Sequence, residues 1–313
     1  MPARVPEGGA RRGTARDGDA NMFVVAGVTG NTGRVVAELL LSHRHPVRVV
    51  VRDEKKTAEW RERGAQVSVA SLDDDAALTR AFAGARGAYV LIPPRDGSVD
   101  LVAAQRPVAD AIARAVKASG LPHVVLLSSL GAQHAEGSGP VRSLHYAEQV
   151  IWKIATNVTM LRAAYFLENW ASVLDDVRTH GVLPSFLTPG RPVPMIATRD
   201  IGRTAAEALV DPPHGARLIE LVGPADYTPE DVARELARAL GRSVRVRGLP
   251  LEAIEPALTS GGLAAGSARL FRELIDGINR GHVAREGGRA VLRFGTLKPG
   301  EVLGPLLARA TVH

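Results

Sequence analysis

From Met22 onward the chain alternates between two rhythms of apolar and polar residues. Short continuous apolar runs occur at Phe23–Ala26, Val47–Val51, Val67–Ala70, Ala88–Ile92 and Val124–Ser128, and again at Thr159–Arg162. Runs of this length, bounded by turn residues, fit strands buried on both faces. Between them lie stretches with apolar positions three or four apart, the period of a helix with one buried face. Gly33–Ser42 carries Val36, Leu39 and Leu40 on one side, and "SLDDDAALTRAFAG" has an acidic start followed by Leu78, Ala81 and Phe82. Further helices are predicted over 57–63, 101–119 and 141–155. Strands separated by helices imply an α/β fold, with a doubly wound parallel sheet covered by helices on both faces.

Past about residue 165 the alternation loosens. Pro and Gly cluster in "GVLPSFLTPGRPVP", a helix follows Asp200, and Leu218–Val222 reads as a late strand. In "TPEDVARELARAL", Thr228 is placed to cap a helix, Pro229 suits its first turn, and Glu230 and Asp231 face the positive end of its dipole. The last 60 residues show no further strand–helix unit and read as a mainly helical lobe. The expected organisation is a tail over 1–21, a sheet domain over 22–165, and a part over 166–313 that completes the sheet edge and forms the small lobe. The tail, "MPARVPEGGARRGTARDGDA", is rich in Gly, Arg and Pro without apolar periodicity, so disorder is expected there. It has no apolar stretch that would make it a secretory signal.

The first strand runs into "GVTGNTG", with glycines at Gly27, Gly30 and Gly33, and then into a helix. Glycines in such a turn let the backbone approach a pyrophosphate, and the helix start supplies unpaired N–H groups and partial positive charge. Thr29, Asn31 and Thr32 add small polar groups. The second strand ends at Arg52 and Asp53, 19 residues past Gly33. An acid there favours the free ribose hydroxyl of NAD, whereas an arginine favours the 2′-phosphate of NADP. Arg52, with Lys55 and Lys56 just beyond, favours NADP(H) over NAD(H).

Charge and composition remove several other readings. The net charge is +6, but arginines interleave with acids and no basic stripe carries aromatics, so nucleic acid is not an expected partner. The chain has no cysteine. That removes disulfides, thiolate metal sites and a cysteine nucleophile, and fits a cytoplasmic, reducing location. No metal site is expected, because the nine histidines lack ligand spacing. No apolar run reaches the roughly 20 residues of a membrane span.

Together, "GVTGNTG", "VVVRD", "SLDDDAALTRAFAGARGAYVLIPP", "VVLLSSLGA" and "LRAAYFLENW", in this order, resemble the NmrA-like family, an atypical branch of the short-chain dehydrogenases. The resemblance covers nearly all of the chain after Met22. It implies a Rossmann domain with NADP(H) in the crevice and a small C-terminal substrate lobe. Gly27, Thr29, Gly30, Asn31, Thr32 and Gly33 would wrap the pyrophosphate and Arg52 would meet the 2′-phosphate. Leu72 and Asp73 would lie near the adenine, Ile92 and Pro93 near the ribose, and Ser128 at the nicotinamide end. Relatives often read Gly-Asp-Leu-Asp in the third loop, where this chain has Ala70-Ser71-Leu72-Asp73.

Typical short-chain dehydrogenases place Tyr-x-x-x-Lys on the helix after the fifth strand. Here the helix reads "SLHYAEQVIWK": Val150 stands four residues after Tyr146, and Lys153 follows seven after it. His145 and Tyr146 are the polar groups on this helix suited to acid–base work, with Ser128 and Tyr165 as further candidates. His145 and Glu148 are spaced to share a face. Phe166 and Trp170 could wall a flat substrate. Family members include quinone reductases, isoflavone-reductase-like enzymes and cofactor-binding redox sensors. The expected activity is hydride transfer from NADPH to a quinone or similar flat conjugated acceptor. The alternative is a regulatory protein that binds NADP(H) without turnover.

Overall fold

The computed structural model describes residues 21–94, 98 and 100–309. The tail expected over 1–21 lies almost wholly outside them. Eight strands make one parallel sheet: β1 Phe23–Ala26, β2 Val47–Val51, β3 Gln66–Val69, β4 Gly87–Leu91, β5 His123–Ser129, β6 Asn157–Ala163, and two later strands, β10 Ala216–Val222 and β13 Val291–Phe294. Their order is β13-β10-β6-β5-β4-β1-β2-β3. Every pairing within this sheet is parallel. The continuous apolar runs are accounted for by helices on both faces. On one side β1, β4 and β5 pack against α3 Asp75–Phe82, α4 Leu101–Ser119 and α5 Arg142–Trp152. On the other, α1 Asn31–Ser42, α2 Thr57–Glu62 and α7 Thr198–Val210 bury residues against the same strands.

The chain winds outward from β1 to β2 and β3, then returns to place β4 on β1's other side. At such a reversal the connections leave in opposite directions, and a crevice opens beyond the strands' carboxyl ends. Phosphate turn and crevice thus coincide.

The C-terminal part differs from the sequence expectation in one respect. The last 60 residues were read as mainly helical, yet β13 lies among them and forms the sheet's outer strand. Its sequence, Val291-Leu292-Arg293-Phe294, is four residues long with a charge in the middle and mostly exposed side chains. It therefore lacks the buried apolar run that marks the inner strands. Two small sheets are added, one of three strands (β7 Tyr165–Phe166, β9 Val193–Ile196 and β11 Asp226–Tyr227) and one of two (β8 Val182–Ser185 and β12 Arg245–Gly248). A third core joins β8 and β9 to α6 Leu174–His180, α8 Pro229–Leu240, α10 Ala265–Arg280 and α11 Pro299–Arg309. The short helix α9 Ile254–Ser260 leads into α10. Thr228 caps α8 as its sequence anticipates, and Asp231 completes a capping box by accepting from the Thr228 N–H.

Candidate cofactor and substrate site

The turn between β1 and α1 has the geometry that its glycines suggested. Gly27 adopts φ +68°, a conformation that side-chain-bearing residues rarely take. A Cβ on Gly33 would stand 2.5 Å from the Gly27 carbonyl oxygen, so helix and turn approach more closely than any other residue allows. The residue preceding α1, Gly30, has no side chain to cap the helix, and the first N–H groups of α1 open on the crevice. Behind them Tyr89 donates to Thr32 Oγ1 at 2.9 Å, and burial raises its phenol pKa far above the ordinary value.

A trough runs from this turn in both directions. Its smaller chamber, about 390 Å³, is lined by Gly27, Thr29, Arg52, Ser71, Leu72 and Pro93 among others. Arg52 is exposed, and its guanidinium makes no ion pair or hydrogen bond among the described residues. The neighbouring Asp53 instead accepts from the Lys55 N–H at 2.9 Å. The larger chamber, about 630 Å³, shares Gly27, Thr29, Arg52, Leu91, Pro93 and Pro94 with the first and continues past Thr32, Ile92 and Ser128. Its far wall is apolar and aromatic: Tyr165, Phe166, Val193 and Phe271, with Leu274, Ile278 and Val283.

Most of the expected cofactor positions therefore lie along one trough. Asn31, Gly33 and Asp73 do not line it. Asn31 opens α1 facing solvent, and Gly33 acts through its close approach to Gly27. A glycine cradle, an uncapped helix start and an arginine without a partner among the described residues together fit a dinucleotide.

The acid–base candidates separate. Ser128 and Tyr165 line the large chamber, whereas His145 and Tyr146 do not. Tyr146 points to the other side of α5 and donates to Asp110 at 2.7 Å, which raises its pKa. His145 Nδ1 lies 2.8 Å from the Ala132 carbonyl, and Nε2 lies 2.9 Å from the Gln149 amide. The expected His145–Glu148 contact is absent because Glu148 turns inward. Its Oε1 accepts from Ser128 Oγ at 2.6 Å and from Arg162 Nε at 2.9 Å, and its Oε2 accepts from Arg162 Nη2 at 2.6 Å.

Arg162 is 4% exposed and also donates to Glu286 at 2.5 Å. Burial disfavours its charge, but the bonds to Glu148 and Glu286 outweigh that and raise its pKa. Glu220, beside Arg162 on β10, accepts from the backbone N–H groups of Glu286 and Gly287. One buried network thus fixes the Ser128 hydroxyl and the segment carrying Val283. The sequence held a signal for it: Arg162 is the lone charge in a strand meant for burial, and a buried arginine requires an anionic partner. Trp170, expected as part of the substrate wall, packs edge-on to Tyr165 in the third core. Glu168 accepts from the N–H and hydroxyl of Thr198 at the start of α7.

Fold and trough define a doubly wound dinucleotide-binding α/β protein. The family model of the NmrA-like family matches residues 20–265, and the chain belongs to that family. It is 29% identical over 253 residues to an NAD(P)H azoreductase of Xenophilus azovorans, covering 81% of this chain and 86% of the relative. It is 26% identical to quinone oxidoreductase 2 of Escherichia coli, covering 83% and 89%. The crystal structure of an E. coli NADPH-dependent quinone oxidoreductase complexed with NADPH superposes with a TM-score of 0.73 at 23% identity, covering 92% and 95%. A Citrobacter sp. triphenylmethane reductase superposes at 0.74 with 17% identity, covering 93% and 99%. No helix among the described residues is long and apolar enough to cross a membrane.

Proposed function

We propose that this protein is an NADPH-dependent oxidoreductase that reduces a quinone or a similarly flat, conjugated acceptor. The carrying observation is the continuity of the trough: the phosphate turn leads without interruption into an apolar, aromatic-walled chamber open to solvent. A cofactor sensor needs the turn but not the chamber. NADPH, when bound, supplies a hydride. The chain's own residues orient two rings and exclude water between them.

The groups around Ser128 bear on which acceptor fits. The Ser128 proton is committed to Glu148, so toward the chamber the hydroxyl accepts rather than donates. Tyr165 is the phenol in the lining. Burial pushes its pKa up to about 12, with a hydrogen bond from Asn169 offsetting part of the rise. It stays protonated and can donate a hydrogen bond, but it is a weak acid for completing a proton transfer. An ordinary ketone yields a strongly basic alkoxide that needs such a transfer. A quinone yields a phenolate-like anion, with a phenol pKa of about 10, which water protonates.

Steady-state assays with NADPH test the reading. Quinones are turned over and simple ketones are reduced at least a hundredfold more slowly. Ketone turnover without quinone turnover overturns the choice of acceptor. Tight NADPH binding with no turnover of any flat acceptor would favour the sensor.

A further inference from the structure

Gln105, in the first turns of α4, lines the large chamber and is 5% exposed. Its amide nitrogen donates to the Pro93 carbonyl at 2.8 Å. Because a carbonyl oxygen can only accept, the amide atom facing it is the NH2 group, which settles which end of the amide is which. The oxygen, Oε1, is buried and has no hydrogen-bond partner among the described residues. A buried amide oxygen left without a donor is unfavourable, so its orientation is explained if a bound molecule completes it. Its surroundings point the same way. Beside it the chamber is formed by Ile92, Pro93, Pro94 and Leu101, none of which has a side-chain donor.

We infer that Gln105 is a specificity-determining acceptor, and that the chamber takes a ligand presenting a hydroxyl or amino hydrogen to Gln105 Oε1. This rests on the oxidoreductase reading and sharpens it. The preferred acceptor is a flat, uncharged ring bearing an amino or hydroxyl substituent, unless the cofactor's own ribose hydroxyl supplies the hydrogen. Uncharged is implied by the lining, because its one charged side chain, Arg52, belongs to the part shared with the smaller chamber and the rest is apolar or neutral. A site built to bond a polar hydrogen discriminates against the analogue lacking it more strongly than an apolar pocket discriminates by size.

The test compares wild type with Gln105→Met and Gln105→Leu. It measures NADPH affinity by titration, and kcat/KM for 1,4-naphthoquinone and for 2-amino-1,4-naphthoquinone. Taking each variant-to-wild-type ratio within one acceptor cancels the difference in reduction potential. If the acceptor supplies the hydrogen, kcat/KM falls about tenfold for the amino compound, less than twofold for the parent, and NADPH affinity is unchanged. If the cofactor supplies it, NADPH affinity falls about tenfold and both acceptors lose equally, which overturns Gln105 as a determinant of acceptor choice. Ratios within twofold throughout, in either folded variant of a wild type that binds and oxidises NADPH, overturn the role of Gln105 alone. A wild type that does not bind NADPH overturns the parent reading and this one with it.

Discussion

The two ends of the trough are built in opposite ways. At the phosphate end, everything from Gly27 to Gly33 lies in one strand–turn–helix, and the geometry follows from residues adjacent in sequence. At the substrate end, one hydroxyl on β5 is fixed by a carboxylate on α5, an arginine on β6 and a glutamate near β13. Nothing local links Ser128, Glu148, Arg162 and Glu286. The phosphate end depends on backbone conformation, and the substrate end depends on buried charges that fold together or not at all. Perturbing each end should therefore have a distinct signature.

The largest effect is expected at Arg162. Removing it leaves Glu148 and Glu286 without their counter-charge, and breaking a buried pair by deleting one partner costs about 3–5 kcal/mol. Arg162→Ala should lower stability by that amount in urea melts, while any folded fraction keeps its relative preference for NADPH over NADH. The double variant Arg162→Met with Glu148→Leu should recover much of the loss, because an apolar pair needs no counter-charge. A single variant as stable as wild type would mean that the network is not structural.

This asymmetry also governs what could be read in advance. The sheet was legible from apolar runs through β6 and again at β10, and the turn from its glycines, since these signals are local. β13 was not, because a four-residue outer strand with exposed side chains carries no periodicity. The α10 residues Phe271, Leu274 and Ile278 stand at helical spacing, which in sequence marks no more than an amphipathic helix. Only the fold turns that face toward the crevice and makes it a wall of the chamber. The helix after β5 was read correctly as a helix, but Glu148 was given the wrong partner. Three-residue spacing made Glu148 a partner for His145, whereas the buried Arg162, 14 residues on, claims it.

At the phosphate end the expected effect is smaller and selective. The Arg52 guanidinium is free to meet a 2′-phosphate, and a hydrogen bond to a charged group contributes about 1.5–3 kcal/mol. Arg52→Ala should weaken NADPH binding by that amount in a titration and leave NADH nearly unchanged. Because Arg52 is exposed, the melting curve should not move. An equal loss for both cofactors would reduce Arg52 to a surface charge and remove the argument for NADP.

The smallest effect concerns the helix where the usual catalytic pair is missing. Tyr146 would be the proton donor if position alone decided the matter. Its hydroxyl is instead bound to Asp110, and Arg106 lies 5.1 Å from its ring centroid. The Asp110 bond raises the phenol's pKa, which makes it a weaker acid than a free tyrosine, and the residue is absent from the chamber's lining. Tyr146→Phe removes the hydroxyl and keeps the ring that packs on the first core. Turnover of a quinone should change less than twofold, and stability should fall by no more than about 1 kcal/mol, the contribution of one hydrogen bond. Tyr165→Phe, measured alongside, is the informative contrast, since that phenol does line the chamber. If Tyr146→Phe slows turnover tenfold while Tyr165→Phe does not, the chemistry lies on α5's other face, and the chamber proposed for the acceptor is in the wrong place.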